Sequence, residues 1–241
     1  MTESPAKSVK CWGVIPAAGS GSRMAADVPK QYLQVAGATV LEHSLNALLR
    51  CDFIERVLVA ISPGDKRAGE LPALAGPRVL LVEGGEQRSD SVLAALVALH
   101  RLASPQDWVL VHDAARPCVA PGDISELARQ VIDSGIGGIL ATPIVDTVKR
   151  SGDDKRVVET LARERLWCAQ TPQMFRLGVL RAALEDANSK GLAVTDEASA
   201  MELYGEAVQL VQGSPDNLKV TLPQDLHLAE YYLSGQRSSS Q

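Results

Sequence analysis

The stretch Val14–Tyr32 reads V-I-P-A-A-G-S-G-S-R-M-A-A-D-V-P-K-Q-Y, and its reading decides the fold. It leaves the apolar run Val9–Ile15, which is expected to form a buried strand. It then breaks into Pro16, Ala17, Ala18, Gly19, Ser20, Gly21 and Ser22. Residues this small leave backbone N–H groups uncovered, and glycine permits the angles that aim several of them at one point. Two cations follow, Arg23 and Lys30. A cradle of amides beside two cations suits a polyphosphate. A dinucleotide loop would need G-x-G-x-x-G, but Met24 stands where its third small residue belongs; a P-loop would need G-x-x-x-x-G-K-[ST], which is absent. An ordinary strand-to-helix turn stays open on the residues alone.

Working outward, the 241 residues are enough for one sizeable α/β core. A 46% hydrophobic and 22% charged composition belongs to a globular chain. Aromatic content of 4%, a net charge of −5 and the lack of a basic stripe argue against a nucleic-acid partner. No apolar run approaches the roughly 20 residues of a membrane helix. The N-terminus has no apolar signal core. Cys11, Cys51, Cys118 and Cys168 match neither a zinc site nor a compact disulfide framework, so reduced thiols in the cytoplasm are expected.

Further along, helices are expected at Thr39–Arg50, Ser91–Leu102 and Asp123–Asp133. Strands are expected at Arg56–Ile61, Val79–Val82, Trp108–Val111 and Gly135–Thr142. Alternation of this kind predicts a mostly parallel, Rossmann-like sheet with helices on both faces, and ligands at the carboxyl ends of its strands. The rhythm then changes. Val145–Arg150 and Arg156–Leu161 read as a polar-tipped hairpin with few large apolar residues, so the segment 145–166 is expected to project as an arm. A hairpin is marginal alone, and a second subunit is the simplest support. Leu166–Ala169 reads as a short returning strand, Leu177–Asn188 as a helix, and Thr195 or Asp196 as the cap of another. Val208–Val211 and Leu218–Val220 read as late strands. A final helix should run from Pro223 to about Leu233, leaving 234–241 as a disordered tail. No linker divides the chain, so one domain is expected over 1–241.

Three more constellations carry chemistry. Gly84–Ser91, G-G-E-Q-R-S-D-S, is a turn and helix cap, or a nucleoside pocket in which Gly85, Glu86 and Ser91 contact a pyrimidine nucleotide. Val111–Pro117, V-H-D-A-A-R-P, places Asp113 at a strand end as a candidate metal or hydroxyl ligand, or simply as an ion-pair partner of Arg116. Gly213–Thr221 offers Lys219 as a further cation and Asp216 as a second metal candidate.

The wording P-A-A-G-S-G-S-R-M, P-K-Q-Y, G-G-x-x-R-x-x-S-V and H-D-A-A-R-P resembles the nucleotidylyltransferases, and within them the 2-C-methyl-D-erythritol 4-phosphate cytidylyltransferases of the non-mevalonate isoprenoid pathway. The resemblance runs from Val14 to Leu233. It implies a nucleotide-diphospho-sugar-transferase type of fold and a homodimer that uses the hairpin arm. It implies CTP and a polyol phosphate as substrates, with Mg2+ or another divalent cation. Arg23 and Lys30 would be catalytic. CTP would be held by 16–22, Gly85, Glu86, Ser91, Ala114 near the ribose, and Lys219. The polyol phosphate would be held by Asp113, Arg116, Thr171 and Thr195, with Thr147 and Arg163 reaching it from the neighbouring subunit's arm; Arg165 stands close enough to compete with Arg163 for that role. Other readings stay open: a cytidylyltransferase for another polyol phosphate such as ribitol 5-phosphate, a nucleotide-binding module without chemistry, and an NAD-dependent oxidoreductase, which the absent third glycine disfavours.

Overall fold

The computed structural model describes residues 10–19 and 28–238. Ser20, Gly21, Ser22 and Arg23 therefore lie outside the described residues.

The chain begins in β1 (Cys11–Pro16) and passes a 3-10 turn at Lys30–Tyr32. A short hairpin of β2 (Gln34–Val35) and β3 (Ala38–Thr39) leads into α1 (Val40–Leu49). There follow β4 (Ile54–Ile61), two 3-10 turns within 68–75, β5 (Val79–Glu83), α2 (Arg88–Leu99), β6 (Trp108–Val111), α3 (Pro121–Ser134) and β7 (Gly138–Pro143). The arm is β8 (Val148–Ser151) and β9 (Val157–Leu161). The chain returns through β10 (Trp167–Arg176), α4 (Leu177–Ser189), α5 (Glu197–Tyr204), β11 (Gln209–Gln212) and α6 (Pro223–Ser238).

Seven strands form one sheet in the order β11-β7-β10-β6-β1-β4-β5. All pairings are parallel except those of β10, which runs antiparallel to both β6 and β7. The period-2 geometry of a strand explains the two cores. Cys11 and Ile15 of β1 face one layer, with Leu41, Leu45 and Leu48 of α1 and Ile124, Leu127 and Val131 of α3. Trp12 and Val14 face the other, with Val92, Leu96 and Leu99 of α2, Leu180 and Leu184 of α4, and Met201 of α5. Gly13 lets α1 approach, because a Cβ there would meet Val57 Cγ2 at 3.0 Å and Leu48 Cδ1 at 3.2 Å. Helix ends follow local chemistry. Thr39 and Glu42 form a capping box on α1, Pro121 opens α3, and Gly135 closes it at φ 72°.

Four sequence expectations change. Helix α2 starts three residues early, with Arg88 in its first turn. The expected short strand at Leu166–Ala169 is the first part of β10, ten residues long. Its ladder with β7 shifts register between Ala169 and Gln173, the only interval where Pro172, lacking an N–H, is tolerated. Leu218–Val220 is not a strand: it crosses under the β6 loop, where Val220 N–H donates to Ala115 O at 2.8 Å. Helix α6 continues to Ser238 instead of fraying at Ser234, with Gln236 Nε2 donating to Cys118 O at 2.9 Å. The arm also carries more exposed apolar surface than its polar tip suggests: Val145, Val157 and Val158 are 75%, 63% and 60% exposed. Among the described residues, no helix is long and apolar enough to cross a membrane.

Candidate active site

β1 and β6 are parallel neighbours in register, Val14 beside Val111, so the loops after them emerge together at one edge of the sheet. They open a cleft of about 320 Å³ lined by Pro16, Ala17, Ala18, Gly19, Lys30, Gln31, Glu86, Gln87, Arg88, Ser91, Asp113, Ala114, Ala115, Lys219 and Thr221. The alanines and glycine of the first loop make one wall. The start of α2 makes another, and the segment after β11 a third.

Several side chains shape this cleft without having been singled out from the sequence. Gln31 is buried and donates its amide to Ala17 O at 2.8 Å and Gly19 O at 3.0 Å. It thus draws two loop carbonyls to itself. Ser62 Oγ takes a third, Ala18 O, at 2.8 Å. Tyr32 anchors the same turn through Asp65 at 2.7 Å. At the second wall, Gly84 and Gly85 are required sterically: a Cβ would meet Ala18 Cβ at 2.7 Å in one case and Asp90 Cβ at 2.4 Å in the other. Ser91 Oγ accepts from Gly85 N–H at 3.2 Å and bonds Gln87 O at 3.1 Å, so it organises this loop from below. Lys30 reaches across to Val220 O at 3.2 Å.

Asp113 is the charged centre of the floor. Its Oδ1 accepts from Arg88 Nε at 2.8 Å and its Oδ2 from Lys219 Nζ at 2.7 Å, with Arg116 Nε at 3.8 Å. Burial would raise the pKa of this carboxyl, but Arg88 and then Lys219 outweigh it and hold it well below the usual carboxylate range. Arg88 is itself gripped by Glu197, Nη1 to Oε1 at 2.7 Å and Nη2 to Oε2 at 2.9 Å. Arg116 turns its ends to the backbone, Nη1 to Asn217 O at 2.7 Å and Nη2 to Ala169 O at 3.3 Å.

His112 lies beneath. Its Nε2 faces Arg116 O at 3.1 Å, an acceptor, so Nε2 carries the proton. Its Nδ1 faces Thr171 Oγ1 at 2.9 Å, and that hydroxyl already accepts from Asp113 N–H at 3.0 Å, so it donates to Nδ1. Burial pushes the imidazole down to about 4, and it is a neutral packing group with both nitrogens committed.

The structure thus brings Pro16–Gly19, Lys30, Glu86, Ser91, Asp113, Ala114 and Lys219 together at the cleft. Gly85 and Arg116 support it from behind. Thr171 is buried under Asp113 rather than facing the cleft. Thr195 is exposed just before the α5 cap, which is Asp196. Thr147 and Arg163 are exposed on the arm, where the Arg163 guanidinium donates to Val145 O. Asp216 lines a different cavity, between α1 and α6, away from the cleft that holds Asp113. Among the described residues no group of three or more His, Cys, Asp or Glu is placed to hold a metal ion. With both Asp113 oxygens engaged by cations, these residues do not form a protein-held metal site.

An open, mostly parallel sheet with a lysine-bordered cleft at its carboxyl edge is the arrangement in which α/β proteins hold nucleotides. The sequence profile of IspD, 2-C-methyl-D-erythritol 4-phosphate cytidylyltransferase, matches residues 11–235. A 2-C-methyl-D-erythritol 4-phosphate cytidylyltransferase of Vibrio vulnificus is 52% identical over 224 residues, covering 93% of this chain and 94% of that one. One of Pseudomonas entomophila is 50% identical over 227 residues, covering 94% and 97%. The crystal structure of the Francisella tularensis protein of the same name superposes with a TM-score of 0.79 at 37% identity, over 92% of this chain and 99% of that one. The chain belongs to the 2-C-methyl-D-erythritol 4-phosphate cytidylyltransferase family.

Proposed function

We propose that the chain is a nucleotidyltransferase that moves the cytidylyl group of CTP onto 2-C-methyl-D-erythritol 4-phosphate, releasing pyrophosphate, in non-mevalonate isoprenoid precursor synthesis. The observation that carries this reading is the cleft between the β1 and β6 loops, bordered by Lys30 and Lys219, within a chain that matches the family over residues 11–235.

The acceptor is a phosphomonoester with roughly −1.5 to −2 charge at pH 7, so its oxygen attacks the α-phosphorus without a general base. That agrees with His112, which is neutral, buried and has no nitrogen to spare. The barrier lies in bringing anions together and in the charge that builds around the α-phosphorus. Lys30 and Lys219 border the cleft to meet that charge, and Arg23 is proposed to join them. Amides of 19–22 would hold the triphosphate, while the carbonyls of Ala17, Ala18 and Gly19 are drawn off by Gln31 and Ser62. The small wall of Ala18, Gly85 and Ser91, with Glu86, suits a pyrimidine, and Ala114 would lie along the ribose. A divalent cation such as Mg2+, carried by the triphosphate oxygens, would neutralise phosphate charge.

Asp113, Arg116 and Thr195 are proposed to hold the polyol phosphate, with Thr171 seating Asp113 from below. The exposed valines of the arm support a homodimer, proposed to work in the cytoplasm, in which Thr147 and Arg163 would complete the partner's site. The test is pyrophosphate release with each of the four nucleoside triphosphates against a panel of polyol phosphates. CTP with methylerythritol phosphate should be turned over far faster than any other pair. Preference for ribitol 5-phosphate would reassign the acceptor, and equal turnover with ATP or GTP would overturn the base pocket.

A further inference from the structure

Arg88 borders the cleft and is cationic, yet all three nitrogens of its guanidinium are engaged by carboxylates. Nη1 and Nη2 bind the two oxygens of Glu197, at 2.7 and 2.9 Å, and Nε binds Asp113 at 2.8 Å. Glu197 is 1% exposed and 109 residues distant in sequence, in the first turn of α5. Burying a carboxylate is costly even when it is paired, and an apolar trio of similar volume usually serves stability as well or better. What an apolar trio cannot do is fix the direction of a carboxylate at the cleft. A planar fork held on two sides has no rotational freedom left, so its third edge is aimed.

We propose that Glu197 and Arg88 are positioning residues: Glu197 clamps the Arg88 guanidinium so that its Nε pins Oδ1 of Asp113 and directs Oδ2 to Lys219 and the acceptor side of the cleft. Arg88 is then not a phosphate clamp, and the CTP anion is left to the lysines and loop amides. The relay also ties the N-terminus of α5, with Thr195 and Asp196, to the floor of the site. This inference rests on the transfer reaction proposed above, and its test separates the two.

Two variants are compared with the parent: Glu197→Gln, which keeps an acceptor but loses the second equivalent oxygen, and Arg88→Met/Glu197→Leu, which replaces the pair by apolar side chains. Each is taken through thermal unfolding, steady-state kinetics in both substrates, and a crystal structure. Expected are a thermal midpoint within a few degrees of the parent for the double variant, a fall of about 10-fold or more in kcat/KM for the acceptor with its KM raised, and a KM for CTP within about threefold. In the Glu197→Gln crystal, Asp113 Oδ2 should have left Lys219 Nζ, beyond about 3.5 Å. Unchanged acceptor KM, or an Asp113 carboxylate still seated on Lys219, would overturn the relay. Loss of folding in both variants would overturn it too, since the pair would then serve the fold. A parent without transferase activity would sink the reaction assignment, while the crystal geometry would still decide the relay.

Discussion

Gln31 donates its side-chain amide to the carbonyl of Ala17 across 2.8 Å, and to Gly19 O at 3.0 Å, joining the K-Q-Y turn to the loop after β1. A small-residue loop has as many carbonyls as amides, and only the amides attract an anion. Gln31 turns the loop by occupying the wrong-signed groups. We therefore expect Gln31→Leu, similar in size but without donors, to raise the KM for CTP by roughly 10-fold, about what one or two lost hydrogen bonds are worth. Acceptor KM should change far less. Steady-state kinetics with each substrate varied in turn checks this, and equal changes in both would contradict it.

Lys219 holds Asp113 at 2.7 Å and borders the cleft at the same time. If it stabilises developing charge, Lys219→Met should lower kcat/KM by roughly 10²-fold, as for loss of one preorganised donor. If it were only an anchor for Asp113, the loss would stay within a few-fold, because Arg88 keeps the carboxylate in place.

The buried His112 makes stability depend on pH in a defined window. Its ordinary value of 6.5 falls to about 4 in the folded protein. Between those values the unfolded chain takes up a proton that the folded chain does not, so stability falls as pH is lowered from 6.5 toward 4 and this contribution levels off below. At about 1.4 kcal/mol per unit the loss is about 3 kcal/mol. Acid titration of Asp113, whose ordinary value is 3.8, lies below that window. Urea midpoints at pH 7, 5.5 and 4.5 should converge for parent and His112→Gln as pH falls. A parallel pH dependence in the two proteins would show that His112 is not the cause.

The arm provides a test of shared sites. Arg163→Ala and Lys30→Ala subunits should each be poorly active alone. Mixed in equal amounts with exchange verified, they should recover up to about a quarter of parent activity, because half the dimers are mixed and one of their two sites is intact. No recovery would count against a partner's arginine.

Much of this was legible in the sequence, for reasons visible residue by residue. The β1 loop stands out because small residues and two cations follow an apolar run, a wording that matches a family motif, and Trp108–Val111 matches its strand because a strand buried on both faces is a continuous apolar run. Other features were hidden by tertiary causes. β10 carries Gln170, Thr171 and Pro172, which read as a loop; they stand at the register shift, and the paired stretches Trp167–Ala169 and Gln173–Arg176 on either side carry the strand through them. Arg88 stood in a recognised motif, but its grip on Glu197 needs the first turns of α2 and α5 brought within reach of each other, which no local pattern reports. Nothing in the sequence singles out Gln31 beside Lys30, because hydrogen bonds to backbone leave no compositional trace. Asp216 was an attractive acid near a cation, and only the path of 213–221 shows that it faces another cavity.

The lysines at the cleft are proposed to act on charge at the α-phosphorus during transfer, and Lys30 tests this most directly. Interactions made only in the transition state are lost as kcat, and uniform binding is lost as KM. For a Lys30→Ala variant with the parent's thermal midpoint, kcat for CTP and methylerythritol phosphate should fall by roughly 10²-fold or more. A folded variant whose kcat stays within a few-fold of the parent would contradict the account.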